Sequence, residues 1–272
     1  MGVLNVTPDS FSDGGSYPDA HGAVDHALRM MDEGADLVDV GGESTRPGAT
    51  PVPEKEELER VLPVVSELAR RGVPVSIDSQ KPGVAQRAIQ EGAQVINDIG
   101  GLRDPAMFDL AAGSPCSVCV MHMQGTPQTM QQRPHYDDVV AEVKAYLAGV
   151  AHGLSQEGKS ADSVWLDPGI GFGKTVTHNL QLLAGLGDVV SLGHPVVVGV
   201  SRKSFIGRVL AGGGEPLPVE ERLEGTLAAQ AMAQIAGARV LRVHDVRAAR
   251  RCVEMVAAIQ ASPSFCESHR RN

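Results

Sequence analysis

The sequence predicts an α/β protein folded as one (β/α)8 barrel, and three observations support this fold class. First, eight short runs rich in Val, Ile and Leu recur along the chain, at residues 1–6, 37–40, 75–77, 95–96, 117–121, 164–166, 196–200 and 240–243. Second, helical patterns lie between these runs, and apolar strands that alternate with helices indicate a parallel sheet covered by helices. Third, the chain has 272 residues, and about 250 is typical of a single barrel.

The predicted helices rest on apolar residues spaced three or four positions apart, the repeat of one helix face. The clearest set is Val139, Val143, Leu147, Val150 and Leu154, and an earlier one is Val24, Leu28 and Met31. Glycines are expected to separate the elements, at Gly22, Gly34, Gly72, Gly92 and Gly237. An open doubly wound sheet is the rival fold, but it requires a glycine-rich turn after its first strand. Here the first strand runs into Thr7, Pro8 and Asp9, which favours the barrel.

No domain boundary stands out in the chain. Residues 1–261 are expected to form one barrel, and residues 262–272 a polar, frayed tail. The longest apolar runs fall far short of the roughly 20 residues that span a bilayer, and no secretory leader opens the chain. Four cysteines in a chain of this length do not indicate a disulfide scaffold. We therefore expect a cytoplasmic protein that does not contact membranes.

The net charge of −9 makes non-specific binding of nucleic acid unfavourable. An anionic substrate must therefore be held by a local cluster of basic groups.

Polar side chains follow the apolar runs where each run ends. They are Asp39, Asp78, Asn97, Asp98, His122, Asp167, Ser201, Arg202, Lys203, Arg242 and His244. The strands of a parallel barrel end on one rim, which carries the active site in this fold. Burying so many charges is costly unless they are paired or bind a ligand. For any single residue, a helix cap or a structural ion pair is an equal alternative.

The rim residues divide into two chemical groups. Asp78, Asn97 and Asp167 can accept hydrogen bonds from a heterocycle, because a ring N–H beside an exocyclic amine fits one carboxylate in a bidentate way. The basic group suits a phosphate or carboxylate and comprises Arg46, Lys203, Arg242 and His244. The stretch 201–204 is expected to open a helix whose first N–H groups attract anions.

Three motifs have simpler explanations. The glycine-rich segment 169–175 resembles a phosphate-binding P-loop, but the required first glycine is replaced by Pro168, so we expect a tight rim loop instead. Cys116 and Cys119 have metal or redox spacing without a second pair, which favours buried small residues. The polar, glycine-rich segment 41–48 is either a surface turn or a mobile flap.

Six segments make a family resemblance specific: residues 1–15, 39–48, 121–127, 167–174, 201–205 and 242–246. In this order and at barrel spacing, they closely resemble the dihydropteroate synthases, which are pterin-binding TIM barrels. The resemblance covers nearly the whole chain. It implies condensation of 6-hydroxymethyl-7,8-dihydropterin diphosphate with 4-aminobenzoate, giving 7,8-dihydropteroate and pyrophosphate in folate biosynthesis. It also implies a homodimer.

The resemblance implies a role for each matching residue. The pterin would be held by Asp78, Asn97, Asp167 and Lys203, in a pocket shaped by Met121, Phe172 and Gly199. The diphosphate would be held by Arg242 and His244, with Thr45 nearby. Asn5 would help bind Mg²⁺, and Asp13 would assist near the metal or the reacting carbon. Arg46, Ser201 and Lys203 would lie near the aminobenzoate. The residues expected to act in catalysis are Asp13, Arg46 and Lys203.

The implied reaction is a displacement at the methylene carbon of the pterin. Pyrophosphate leaves first or mostly first, and the arylamine then attacks, so no covalent enzyme intermediate is required. Mg²⁺ and the basic residues would stabilise the charge on the leaving group.

Three alternatives make different demands on the sequence. A methyltetrahydrofolate-dependent methyltransferase should lack the diphosphate residues and the first-loop segment, and both are present. A non-catalytic pterin carrier should have lost loop residues such as Asp13 or Arg46, and both are intact. A phosphosugar barrel enzyme would explain the basic rim groups but not Asp78, Asn97 and Asp167. The chain begins directly at its first strand, without the leading residues that many members of the resembling family carry. If residues are missing there, we expect the barrel floor to be less well sealed.

Overall fold

Eight parallel strands form the closed barrel that the sequence predicts. In the computed structural model, which describes residues 1–7, 20–45 and 48–262, the strands are β1 (Gly2–Asn5), β2 (Val38–Gly41), β3 (Val75–Asp78), β4 (Val95–Asp98), β5 (Ser117–Met121), β6 (Val164–Asp167), β7 (Val197–Val198) and β8 (Val240–Leu241). Each coincides with one of the predicted runs.

The ring of strands is closed at two points by short contacts. Strands β1 to β6 form one sheet in chain order, and β7 pairs with β8. Single bridges join Leu166 to Val196 and Gly2 to Val243. At the second junction the Val3 N–H donates to the Val243 carbonyl at 2.9 Å. The first strand therefore lies beside the last one, and the barrel prediction is confirmed.

Helices cover the outside of the barrel. Within the described ranges they are α1 (Ala20–Asp32), α2 (Glu54–Arg70), α3 (Pro82–Gln90), α4 (Pro105–Gly113), α5 (Val139–Gln156), α6 (Val176–Ala184), α7 (Leu186–Val190), α8 (Ser204–Leu210), α9 (Leu223–Ile235) and α10 (Val246–Gln260), with 3-10 turns at Ala161–Ser163 and Val219–Glu221. None of these helices is long and apolar enough to cross a bilayer.

The predicted helix faces pack onto the barrel. In α5, Val139, Val143, Leu147 and Leu154 are buried, and Val150 is half-buried against the same core. The Asp138 side chain caps this helix by accepting from the N–H groups of Val140 and Ala141, each at 3.0 Å. The aliphatic stripe and the polar cap together explain why this segment is helical.

Four of the five separating glycines end helices, and one does not. Gly34, Gly72, Gly92 and Gly237 all adopt positive φ after helices, the conformation that favours glycine. Gly22 lies inside α1, so its prediction as a boundary is wrong. A glycine lowers helix stability by only about 1 kcal/mol, and burial of Ala23, Val24 and Ala27 in the same helix outweighs that penalty.

The two ends of the barrel differ in composition. At the amino end, Met1, Leu37 and Val95 form a small apolar cluster with Trp165 and Val240. They line a cavity of about 510 Å³. The charged residues predicted for the site lie at the opposite, carboxyl end, so this cavity is separate from it. The predicted tail lies outside the described residues from residue 263 onward.

Candidate active site

Strand register brings the predicted polar residues to one level of the barrel. Asp78 lies beside Gly41 on one neighbouring strand and beside Asn97 on the other. Met121 lies beside Asp167 in the same way. Alternate residues of these strands, such as Ile77 and Leu166, pack fully buried in the core. Period-2 alternation therefore turns the polar set toward the barrel interior.

Arg242 occupies the centre of this polar set. Its Nε donates to Asp39 Oδ2 and its Nη2 to Asp78 Oδ2, both at 2.6 Å. Asn97 Nδ2 also donates to Asp39 Oδ2, at 3.0 Å. Burial would lower the pKa of Arg242, but the charges of Asp39 and Asp78 outweigh it and raise the pKa. The arginine is therefore charged and paired inside the barrel.

Two carboxylate oxygens in this centre have no hydrogen-bond partner among the described residues. They are Asp39 Oδ1 and Asp78 Oδ1, and both are buried. Burial raises the pKa of Asp78 to about 7, although Arg242 acts in the opposite direction. An unpaired buried acceptor is unfavourable by about 1–3 kcal/mol. A ligand with donor groups would remove that penalty.

Asp167 and Lys203 carry opposite charges near the rim, and each affects the pKa of the other. Asp167 Oδ1 accepts from the Gly169 N–H at 2.7 Å. Burial raises the pKa of Asp167, and Lys203 partly offsets this. Burial also lowers the pKa of Lys203 to about 8, against the influence of Asp167. Lys203 Nζ donates to the Ile170 carbonyl and lies 4.6 Å from the centroid of the Phe172 ring.

The loop after β6 depends on its glycines. Gly169, Gly171 and Gly173 all have positive φ. A Cβ on Gly169 would lie 1.8 Å from the carbonyl oxygen of His122, which no packing could accommodate. The prediction of a tight rim loop is thus confirmed.

An apolar wall lies beside the polar centre. Met121, Met123, Ile99 and Met130 pack together, with Phe172 against them. Gly199 lies beside the two cations, since a Cβ there would be 3.7 Å from Arg242 Cβ and 3.8 Å from Lys203 Nζ. Apolar and charged side chains therefore lie together at the barrel mouth, a combination found in binding pockets for small molecules.

His244 and Ser201 contact each other at the edge of the site. Ser201 Oγ lies 3.0 Å from His244 Nδ1 and accepts from the His244 N–H at 3.2 Å. Burial, together with the nearby charges of Arg242 and Arg202, lowers the pKa of His244 to about 4. The imidazole is therefore neutral near pH 7. Helix α8 begins at Ser204, and Arg202 before it has a φ of 58°.

Comparisons with known proteins identify the family of this chain. The model of a family described as pterin binding enzyme matches residues 1–244. The dihydropteroate synthase of Escherichia coli (strain K12) is 46% identical over 271 residues, covering 99% of this chain and 93% of that protein. The chain belongs to the dihydropteroate synthase family of pterin-binding enzymes.

Solved structures of the dihydropteroate synthase family share the fold. A dihydropteroate synthase from Xanthomonas albilineans with 4-aminobenzoic acid has a TM-score of 0.88 and 46% identity, covering 97% of this chain and 93% of that one. The enzyme of the same organism in complex with 7,8-dihydropteroate has a TM-score of 0.86 and 42% identity, covering 97% and 94%.

The structure brings together most of the residues that the dihydropteroate synthase resemblance singles out. Asp78, Asn97, Met121, Asp167, Phe172, Gly199, Lys203 and Arg242 lie around the barrel mouth. Thr45 is half-buried in the loop after β2, and Asn5 ends β1 beside Gly41. Asp13 and Arg46 lie outside the described residues.

For two buried residues at the site, the sequence predicted no functional role. Asp39 is fully buried and binds Arg242; a lone carboxylate between Val38 and Val40 was the available signal. Lys174 is buried, with Nζ 3.1 Å from His122 Nδ1 and 3.0 Å from the Phe172 carbonyl. Burial lowers the pKa of Lys174 to about 7. It joins the end of β5 to the glycine loop.

Two of the other polar residues at the strand ends have structural roles. Asp98 accepts from the N–H groups of Gly100 and Leu102 and closes a turn. Burial and Lys174 lower the pKa of His122 to about 3, so this histidine is neutral.

Cys116 and Cys119 are free and buried, as the sequence predicts.

Proposed function

We propose that the protein catalyses the dihydropteroate synthase reaction, joining 6-hydroxymethyl-7,8-dihydropterin diphosphate to 4-aminobenzoate with release of pyrophosphate. One observation carries this proposal above the others. Three acceptor side chains, Asp78, Asn97 and Asp167, surround a barrel mouth that also holds the cations Arg242 and Lys203. This combination matches a substrate with a donor-rich ring at one end and a diphosphate at the other.

The pterin ring is assigned to the carboxylates. The free Oδ1 of Asp78 is buried and lacks a partner within the described residues, and a ring N–H with its neighbouring amine can satisfy a carboxylate edge. Met121 and Phe172 supply an apolar wall beside it. Lys203 lies over the Phe172 ring, and its charge acts on the nearby Asp167. It can therefore hold a carbonyl or nitrogen of the pterin ring.

The diphosphate is assigned to Arg242, His244 and Thr45 at the edge of the site. Arg242 keeps its charge at every relevant pH. Neutral His244 can donate to a phosphate oxygen if its proton is on the nitrogen that faces the ligand. Ser201, which contacts His244, is assigned to the aminobenzoate. Arg46 and Asp13 are proposed to act from the two loops near the reacting carbon.

The reaction exchanges one bond at the pterin methylene carbon. Its C–O bond to the diphosphate breaks, a C–N bond to the arylamine forms, and the amine proton leaves. Positive charge on the carbon is stabilised by the ring that Asp78 and Asp167 hold. Arg242 stabilises negative charge on the departing oxygen, and such preorganised charges are often the largest contribution to catalysis.

We assign Mg²⁺ to Asn5, at the end of β1. Within the described ranges, no group of three His, Cys, Asp or Glu side chains could hold a metal ion. Magnesium at phosphate sites needs only one or two protein oxygens, since phosphate and water supply the remainder. Asn5 would provide one such oxygen. When bound, Mg²⁺ neutralises charge on the leaving diphosphate.

We also propose a homodimer formed through the helices of the second half of the chain. Large exposed apolar side chains lie on α6, α8, α9 and α10, at Leu180, Val209, Leu210, Met232, Ile235, Met255 and Ile259. These helices contact one another in sequence around the barrel. Apolar residues grouped in this way commonly mark an interface.

Cysteines at 116, 119 and 252 are free, which suits the reducing cytoplasm where we place the enzyme.

The decisive experiment measures pyrophosphate release by purified protein supplied with the dihydropterin diphosphate and Mg²⁺, with and without 4-aminobenzoate. Release that depends on 4-aminobenzoate, with dihydropteroate formed, supports the proposal. Tight binding of the pterin diphosphate without turnover would instead identify a non-catalytic carrier. Failure to bind the pterin would contradict the site assignment.

A further inference from the structure

Arg242 has a partner that its proposed role does not explain. To bind the diphosphate in a bidentate way, Arg242 needs both of its Nη groups directed at phosphate oxygens. In the structure its Nη2 instead donates to Asp78, the carboxylate assigned to the pterin ring. The Asp78 carboxylate therefore accepts from the guanidinium of Arg242 and also lies where the pterin ring is proposed to bind.

The two ion pairs of Arg242 are not equivalent. Asp39 is fully buried, and its Oδ2 accepts from both Asn97 and Arg242, which fixes its orientation. Asp78 is the last residue of β3 and is 7% exposed at the mouth. A ligand entering from the rim therefore reaches Asp78 before it reaches Asp39.

We propose that Asp39 is the positioning residue for Arg242, holding its Nε while Nη2 moves from Asp78 to the diphosphate when the pterin ring binds. This inference rests on the proposed function, because it takes the ring to bind Asp78 and the diphosphate to bind Arg242. Its consequence is that the two halves of one substrate assist each other's binding through a shared arginine.

The pairing of Asp78 in each state explains why the two ligands should tighten each other's binding. Without the ring, a diphosphate that takes both Nη groups must draw Nη2 away from Asp78 and leave a buried carboxylate unpaired. With the ring bound, its donors satisfy Asp78, and Nη2 is already released. Each ligand therefore removes a penalty that the other would otherwise meet. Such coupling is reciprocal, since the two binding steps close a thermodynamic cycle.

The test uses the two halves of the substrate as separate ligands. Calorimetric titration gives the Kd of 6-hydroxymethyl-7,8-dihydropterin with and without saturating pyrophosphate, and the Kd of pyrophosphate with and without the pterin. We expect each ligand to tighten the other by about fivefold or more, the lower end of usual coupling. A coupling factor of one, with both ligands bound, would overturn the inference.

The metal is separated from the arginine by repeating the titrations with Mg²⁺ and with EDTA. Coupling carried by Arg242 persists in EDTA. Coupling that appears only with Mg²⁺ would assign the effect to the metal and reject the role of Arg242. Failure of the pterin to bind under any condition would count against the proposed function itself, which keeps the two failures distinct.

Two variants examine the residues directly. Arg242→Lys keeps the charge but loses the fork that bridges two carboxylates, so the coupling factor should fall toward one. Asp39→Asn leaves Asp78 as the only carboxylate on Arg242. Ring affinity should then fall, pyrophosphate should restore it, and the coupling factor should rise. If Asp39 has only a structural role, ring affinity falls equally with and without pyrophosphate.

A matched control comes from the surface. Arg70 binds Glu67 through Nε and Nη2, the same two nitrogens that Arg242 uses, but this pair is exposed on the surface of α2. Arg70→Lys should leave the coupling factor at the wild-type value. A reduced factor in this variant would mean that the effect of Arg242→Lys is general rather than local.

Discussion

The two ends of the barrel are filled by different means. The amino end holds Met1, Leu37 and Val95 around a cavity, and its contacts are apolar. The carboxyl end holds Arg242 between two carboxylates, with distances of 2.6 Å. Apolar packing tolerates imperfect filling, whereas a buried charge requires a defined partner. Substitutions should therefore affect fold stability at both ends but ligand binding only at the carboxyl end.

The largest effect is expected for Arg242→Ala. Asp39 and Asp78 would be left buried without their counter-ion, and breaking a buried pair lowers the free energy of unfolding by about 3–5 kcal/mol. Chemical denaturation measures this loss. Binding of the pterin diphosphate should fall more than binding of the pterin alone. Equal loss for both ligands would contradict the assignment of Arg242 to the diphosphate.

The next effect is expected for Asp167→Asn. The substitution removes a buried carboxylate from the ring subsite and should weaken pterin binding by about 3 kcal/mol, roughly a hundredfold. Fluorescence titration with the pterin provides the measurement. An unchanged pterin affinity in a folded variant would remove Asp167 from the site.

A smaller effect is expected at the floor, for Leu37→Ala. The residue is 9% exposed, and truncation beside a pre-existing cavity should lower the free energy of unfolding by about 2 kcal/mol, the lower end for such changes. Pterin affinity should be unchanged. A parallel loss of pterin affinity would show that the two ends are coupled and would break the comparison.

The smallest effect is a pH dependence that separates binding from stability. Burial raises the pKa of Asp78 from 3.8 to about 7. Because the carboxylate is the acceptor, pterin affinity should fall as pH drops below about 7, by up to tenfold per unit. The free energy of unfolding changes in the opposite direction with pH. The contribution of Asp78 to it is lost as pH rises from about 4 to about 7.

Asp78→Asn serves as the control for this pH dependence. The variant cannot titrate at this position, so its pterin affinity should be nearly constant between pH 6 and pH 8. A slope like that of the wild-type protein would assign the titration to another group, such as Lys203 or Asp167.

The sequence predicts the barrel because its signals are local. Each strand is a short apolar run, and each major helix shows its stripe within a few turns, as α5 does with Val143 and Leu147. The strand ends also predict which residues meet, since parallel strands end on one rim. Gly22 shows the limit of local signals, because packing of its neighbours decided its conformation.

The pairing within the site lies beyond local signals. Arg242 was expected to act with His244, two residues away, but its partners Asp39 and Asp78 come from β2 and β3. Lys174 likewise binds His122 from another element. Which charge neutralises which depends on the closed ring, and a residue pattern along one strand contains no such information. Asp13 and Arg46 lie outside the described residues, so their roles stay predictions.

Closure of the ring has a consequence for how the chain folds. The first strand completes its pairing only with Val243, near the other end of the sequence. Contacts between such distant residues form slowly, because the intervening chain must first be ordered. Until β7 and β8 are available, β6 and β1 present unpaired edges to other chains. Refolding should therefore be most prone to aggregation after the six-stranded sheet forms, and dilution should raise the yield more than any change at the rim.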